Sequence, residues 1–187
     1  GKGLDISNWQ GIPTVEWFQD RLAEGYDLFI FGTQQPEITR GQIENAWTAG
    51  FRKIHIYIWL DWRYDCTAQV DSDLSRLNGL PFTHVWLDSE QELMPADPDY
   101  VISEIQRAID EAWFRLPFYQ VGIYTRGSWY IPNTNNYDGF SKQGALLWDA
   151  IYWDQLEFLY GVVVPKFGGW EHAAIEQTAS DAQFPER

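Results

Sequence analysis

Apolar residues along the chain follow two alternating rhythms. Short continuous or period-two runs read as strands, and longer stretches with apolar residues three and four apart read as helices. Gly3 to Ile6 predicts a strand, and Thr14 to Glu24 a helix with Val15, Phe18 and Leu22 on one face and Gly25 as its stop. Leu28 to Phe31 is a second strand. Thr39 and Gln42 then have capping-box spacing before a helix that ends at Gly50. Lys53 to Leu60 is a third strand, and Thr67 opens a helix with Val70, Leu74 and Leu77 on one stripe, closed by Gly79. His84 to Asp88 is a fourth strand. Asp97-Pro98 pairs a cap with proline at the first helical position, ahead of Val101, Ile105, Ala108, Ile109 and Ala112 at helical spacing. Gln120 to Thr125 and Ala145 to Tyr152 are further strands, and Asn133 to Lys142 reads as a polar loop. Phe158 to Val164 and His172 to Gln177 also look like strands, with no long helix between them.

Strands alternating with helices imply a parallel sheet, and about eight strands suggest closure into a barrel. The chain has 187 residues, short for the usual ~250 of an eight-fold barrel. The expected fold class is therefore α/β: one irregular, TIM-like β/α barrel over residues 1–187, with its last helices reduced or missing.

Composition narrows the function. The 45% hydrophobic and 21% charged residues are a globular balance. With 27 acidic against 13 basic residues the formal charge is −14, and no Lys/Arg cluster occurs. A nucleic-acid partner is thus not expected, and an anionic membrane surface is disfavoured in the same way. No apolar run reaches transmembrane length. The opening at Gly1, without Met or a secretory signal, reads as a processed or trimmed start. Cys66 is the one cysteine, which excludes an intrachain disulfide and a thiolate metal cluster. The three histidines, His55, His84 and His172, lack metal-ligand spacing, and Asp71-Ser72-Asp73 falls on what reads as a solvated helix face. Eleven Trp exceed ordinary core needs; a sugar site and an aromatic-rich core both account for such a surplus.

The stretch that carries chemistry is His84-Val85-Trp86-Leu87-Asp88-Ser89-Glu90. Strand side chains alternate, so Asp88 and Glu90 point to one side and Val85 and Leu87 to the other. Both acids lie at a strand's C-terminal end, where barrel active sites are built, with α carbons about 6–7 Å apart. Close like charges raise at least one pKa, and a carboxyl still protonated near neutral pH is what departure of a glycosidic oxygen needs. Asp5 ends the first strand, so a parallel barrel brings it to the same rim.

The segment Gly3-Leu4-Asp5-Ile6-Ser7-Asn8-Trp9-Gln10-Gly11 closely resembles the opening signature of glycoside hydrolase family 25, the muramidases called Chalaropsis-type lysozymes. Val85 to Glu90 resembles that family's L-D-x-E strand, Val121-Gly122-Ile123-Tyr124-Thr125 its G-I-Y-T strand, and Leu147 to Tyr152 its L-W-x-A-x-Y strand. The matches occur in family order over roughly four-fifths of the chain. The resemblance implies cleavage of the β-1,4 bond after N-acetylmuramic acid in peptidoglycan, with no metal and no cofactor. Glu90 would match the general acid, and Asp88 the partner that steadies the substrate's acetamido group, whose carbonyl acts as nucleophile. Asp5 would match the first-strand acid that supports them, and Tyr124 would sit on the sugar-binding rim. Such substrate assistance departs from the ordinary two-carboxylate schemes.

The chain departs from the family at three places. Phe31-Gly32-Thr33-Gln34-Gln35 carries amides where the family has an acidic turn, and Tyr57-Ile58-Trp59 replaces Y-H-F. Ala174 to Thr178 distantly resembles the family's closing W-Q-Y, but no V-D-x-N strand follows it; Asp181 is a poor substitute, and Asp149 a better candidate. Tyr124, Trp9, Trp59, Tyr57, Trp62 and Asp149 are accordingly the expected substrate-binding residues. The expected partner is peptidoglycan or a related N-acetylated glycan, the protein a monomer, and its place of work extracellular or phage-associated. Two alternatives keep the fold: a glycosidase acting on a different glycan, and a glycan-binding module without activity.

Overall fold

The computed structural model describes residues 1–91, 97–150 and 167–177. Their elements run in the order β1 (Lys2–Ile6), a 3-10 turn (Asn8–Gln10), α1 (Val15–Ala23), β2 (Tyr26–Gly32), α2 (Pro36–Ala49), β3 (Lys53–Trp59) and α3 (Cys66–Arg76). There follow β4 (His84–Asp88), α4 (Pro98–Arg115), β5 (Gln120–Thr125), α5 (Gly127–Thr134), α6 (Gly139–Lys142), β6 (Leu146–Ala150) and β7 (Ile175–Gln177). All seven strands are parallel, in the sheet order β1-β2-β3-β4-β5-β6-β7. The sheet curls, with helices between successive strands from β1 to β6, into an irregular TIM-like β/α barrel, as the alternation predicts.

Strands β2 to β6 are largely buried on both faces, which is why these segments read as near-continuous apolar runs. The helix-facing side carries Phe29, Phe31, Ile54, Ile56, Ile58, Val85, Leu87, Val121, Ile123 and Leu147, packed against Phe18, Ile43, Val70, Ile105 and Ile109 of the helices. The concave side carries a smaller cluster of Ile30, Trp86, Tyr124, Trp148 and Ala150, joined by Leu28, Tyr57, Leu146 and Ile175. Register places these side chains in layers: Ile30 beside His55 beside His84, then Tyr57 beside Trp86 beside Gly122, then Trp59 beside Asp88 beside Tyr124.

Four expectations change. Helix α2 starts at Pro36 with Gln35 at its N-cap, because proline is favoured in the first helical turn. Thr39 and Gln42 therefore lie inside the helix as buried anchors: the Thr39 hydroxyl donates to Gly32 O at 2.6 Å, and the Gln42 amide to Gly11 O at 2.6 Å. The polar stretch 133–142 is largely helical, the end of α5 and all of α6. Asp73 is half-buried and accepts a 2.5 Å hydrogen bond from Thr33, while Asp71 pairs with Arg115. The last expected strand shortens to Ile175–Gln177. The expected strand at 158–164 and Asp181 lie outside the described residues.

Candidate active site

The strand C-termini bring the three carboxyls together. Asp88 ends β4 between Trp59 of β3 and Tyr124 of β5, and Glu90 follows two residues on. The connecting backbone is clamped from both sides. Leu60 N–H donates to Asp88 O at 3.1 Å, Ser89 N–H to Tyr124 O at 2.9 Å, and the Thr125 hydroxyl to Ser89 O at 2.8 Å. Ser89, fully buried on the opposite face, leaves Asp88 and Glu90 on the concave side. Beyond them, Gln91 anchors the chain: its side-chain oxygen accepts from Trp62 N–H and its backbone oxygen from the Trp129 indole.

Asp88 is 8% exposed, and among the described residues its Oδ1 has no hydrogen-bond partner. Burial first, then the charges of Glu90 and Asp5, push its carboxyl well above the ordinary range. Glu90 and Asp5 therefore each lie within electrostatic reach of Asp88. A buried oxygen with no partner is costly unless a ligand supplies one. Glu90 is less enclosed, and the Arg126 guanidinium lies 3.9 Å from its Oε2.

Pattern reading missed Gln177. Its Nε2 donates to both carboxylate oxygens of Asp5 at 3.2 Å, and its Oε1 accepts from the Tyr124 hydroxyl at 2.7 Å. Only the curl of the sheet brings it to residue 5. Beside it, residues 1–5 and 173–177 line a groove of about 580 Å³ floored by Ile30 and Trp148.

Aromatic rings form the floor and part of the rim. Trp148 meets Tyr124 edge-on at 4.5 Å, Trp86 at 5.8 Å and Tyr57 at 6.4 Å between centroids. Under them the Trp86 indole donates to His55 Nδ1 at 3.2 Å, and His55 stacks on His84 at 3.8 Å. Burial, with His84 and Lys53 nearby, lowers the His55 pKa to about 3, so this imidazole stays neutral and serves as an acceptor. Trp9 is 90% exposed just after β1, held in its turn by the Ser7–Gln10 capping box. Trp59 is partly exposed beside Asp88, and Tyr57 is half-buried near Gly32, where a Cβ would stand 2.6 Å from the tyrosyl oxygen.

Two expected binding residues lie elsewhere. Trp62 is 3% exposed, stacked on Trp129 at 6.1 Å in the helix-facing core. Asp149 alternates with Trp148 and so faces the helix side of the sheet, away from the concave cluster. Burial and the charge of Glu176 raise its pKa to about 6. The amide turn after β2 is locally employed: with its nitrogen toward Gly32 O and Thr39, the Asn8 side chain accepts from Gln35 N–H at 2.9 Å. Among the described residues no group of three His, Cys, Asp or Glu side chains is placed to hold a metal ion. Also among them, no helix is long and apolar enough to cross a membrane.

No protein-family sequence profile matches the chain, and no curated protein sequence matches it. Solved structures do. The spore cortex lytic enzyme SleM of Clostridium perfringens superposes with a TM-score of 0.70 at 16% identity, covering 99% of this chain and 62% of that one. This chain thus spans less than two thirds of that enzyme's length. The catalytic domain of the endolysin ply40, from a Listeria monocytogenes bacteriophage, matches with a TM-score of 0.59 at 20% identity, over 80% of this chain and 73% of that one. The Streptococcus pneumoniae protein GHIP, a glycosyl hydrolase 25, matches with a TM-score of 0.61 at 12% identity, over 91% and 82%. The chain therefore has the irregular β/α-barrel fold found in these lytic enzymes and in this glycosyl hydrolase, with three carboxyls gathered on the rim formed by its strand C-termini.

Proposed function

We propose that the protein is an endo-β-1,4-N-acetylmuramidase that hydrolyses the glycan strands of peptidoglycan by a substrate-assisted, retaining route. The observation that carries the reading is Asp88: a buried carboxyl with one oxygen unpartnered among the described residues, within electrostatic reach of Glu90 and Asp5 and flanked in register by Trp59 and Tyr124. Of the two hydrogen-bonding ends of an acetamido group, the N–H suits that oxygen. So held, the group's carbonyl oxygen attacks C1 as the glycosidic bond breaks. Glu90 gives its proton to the departing oxygen; water then opens the cyclic intermediate and returns a proton to Glu90. The positive charge on the intermediate is balanced by Asp88 and, behind it, Asp5. Trp9, Trp59, Tyr57 and Tyr124 are the proposed sugar-facing rings. The fold shared with spore-cortex and phage lytic enzymes supports a cell-wall substrate and an extracellular or phage-associated place of work.

The test is clearing of purified cell walls, followed by borohydride reduction of the new chain ends. Reduced muramic acid is expected, and Glu90→Gln should lower the rate by ~10²–10⁴-fold while the fold is kept. Reduced glucosamine would instead assign a different bond. Glycan binding with no new reducing ends would identify a binding module and overturn the enzymatic reading.

A further inference from the structure

Gln177 joins three strands at one point. It sits on β7, accepts from Tyr124 on β5 and donates to Asp5 on β1, 172 residues away in sequence. We infer that Gln177 is a positioning residue: it holds Asp5 at the carboxyl cluster and commits the Tyr124 hydroxyl proton, so that Tyr124 meets the substrate as a hydrogen-bond acceptor.

Donor and acceptor inventories settle the direction. A carboxylate only accepts, so an ionised Asp5 requires the –NH₂ end of the amide. The carbonyl end then faces Tyr124, and a carbonyl can only accept. The 2.7 Å contact must therefore use the tyrosyl proton, which leaves the phenolic oxygen to offer lone pairs. A substrate group that meets it must bring an N–H or O–H. With Tyr124 next to Asp88 in register, that group belongs to the same sugar whose acetamido N–H meets Asp88. This last step rests on the muramidase reading; the amide's orientation does not.

The same geometry gives Gln177 a mechanical part. Asp5 and Gln177 lie on the first and last strands of the sheet order. Their hydrogen bonds tie those strands together at the catalytic rim and fix how far Asp5 stands from Asp88. Among the described residues, the titratable groups around Gln177 include Asp5 from β1 and Tyr124 from β5, with Asp88 and Glu90 in the same cluster, and Glu176 and Asp149 on the other face of the sheet.

Two variants and one spectrum test this. Gln177→Met keeps the length of the side chain and removes both hydrogen bonds. It should lower kcat/KM on cell walls by about 10–100-fold, the span of a hydrogen bond to a charged group. Tyr124→Phe added to it should cost further, because the phenolic oxygen that accepts from the substrate is then lost as well. Gln177→Glu can donate to Asp5 only while it carries its own proton. Its activity should approach the parent's at low pH and fall away at a lower pH than the parent's does. A residue that merely packs would give pH-independent losses in both variants, and that result, or unchanged activity in Gln177→Met, overturns the inference. The side-chain amide of Gln177 in the parent, followed by ¹H–¹⁵N NMR, decides independently of any sugar. Slow exchange and a displaced resonance that Asp5→Asn abolishes support it; a signal like that of free glutamine overturns it. Should the parent fail to cleave walls while that signature stands, the muramidase reading falls and the positioning role remains.

Discussion

Replacing Asp149 by Asn separates a cost of folding from a part in binding. Asp149 is 6% exposed and faces the helix side of β6, beside Thr125 in register and Glu176 across the strand pair. Its carboxyl is raised from 3.8 to about 6, through burial and then Glu176. A raised carboxyl means that the folded state holds the proton more tightly than the unfolded chain does. Its contribution to stability is therefore full below pH 3.8 and is lost as the pH rises through about 6. That interval corresponds to roughly 3 kcal/mol, an order-of-magnitude figure. Asp149→Asn removes the titration, so at pH 8 the variant should exceed the parent by up to ~3 kcal/mol, or roughly 6–12 °C in Tm for a chain of this size. At pH 3.5 the two should nearly coincide. Urea denaturation at pH 3.5, 6 and 8 measures the difference, and subtracting the variant from the parent isolates this residue from Asp88 and Asp73, which are raised as well. A variant less stable by the same amount at every pH would refute the reasoning, because it would mean that the ionised carboxylate is well satisfied where it lies. Glycan binding measured alongside should be unchanged, since the side chain points away from the concave cluster; a tenfold loss would return Asp149 to the substrate-binding set.

Asp88→Asn should abolish wall clearing yet raise stability at pH 7–8, measured by thermal unfolding, because it removes a buried charge whose pKa is pushed up; equal destabilisation at all pH values would contradict this. Parent activity should fall on the alkaline side as the Asp5–Asp88–Glu90 cluster gives up its proton, and a rate that is flat from pH 5 to 9 would exclude a protonated acid. Gly122→Ala should cost ~1–3 kcal/mol or more in urea unfolding, since its Cβ would press on the Trp86 ring and stand 2.9 Å from Leu146 O, a backbone atom that cannot move aside. Trp9→Ala should leave stability within about 0.5 kcal/mol but weaken oligosaccharide affinity by about 3–10-fold; unchanged affinity by calorimetry would place the sugar elsewhere.

Strand periodicity alone was enough to order the elements from β1 to β6 and to put Asp88 and Glu90 on one face, because alternation and the apolar stripe are local properties of the backbone. The position of Asp5 on the same rim followed from one further rule, that parallel strands end together. Local reading failed where two local signals competed. At α2 the proline at residue 36 overrode the Thr39–Gln42 spacing, and both of those side chains turned inward to bind backbone carbonyls. The polar composition of 133–142 concealed short helices whose buried residues, Thr134 and Phe140, are few and widely spaced.

What lay beyond the pattern is set by which distant strands become neighbours. Trp62 looked like a rim aromatic because it follows a strand end, but α5 supplies Trp129 for it to stack on, so it packs instead. His55 and His84, isolated in the sequence, become a stacked pair because β3 and β4 are in register there. The same holds for the Asp5–Gln177–Tyr124 chain and for the unpartnered oxygen of Asp88. A residue's alternation is written in its immediate neighbours, whereas its burial, its pKa and its hydrogen-bond partners depend on side chains that only the curvature and register of the sheet bring within a few ångströms.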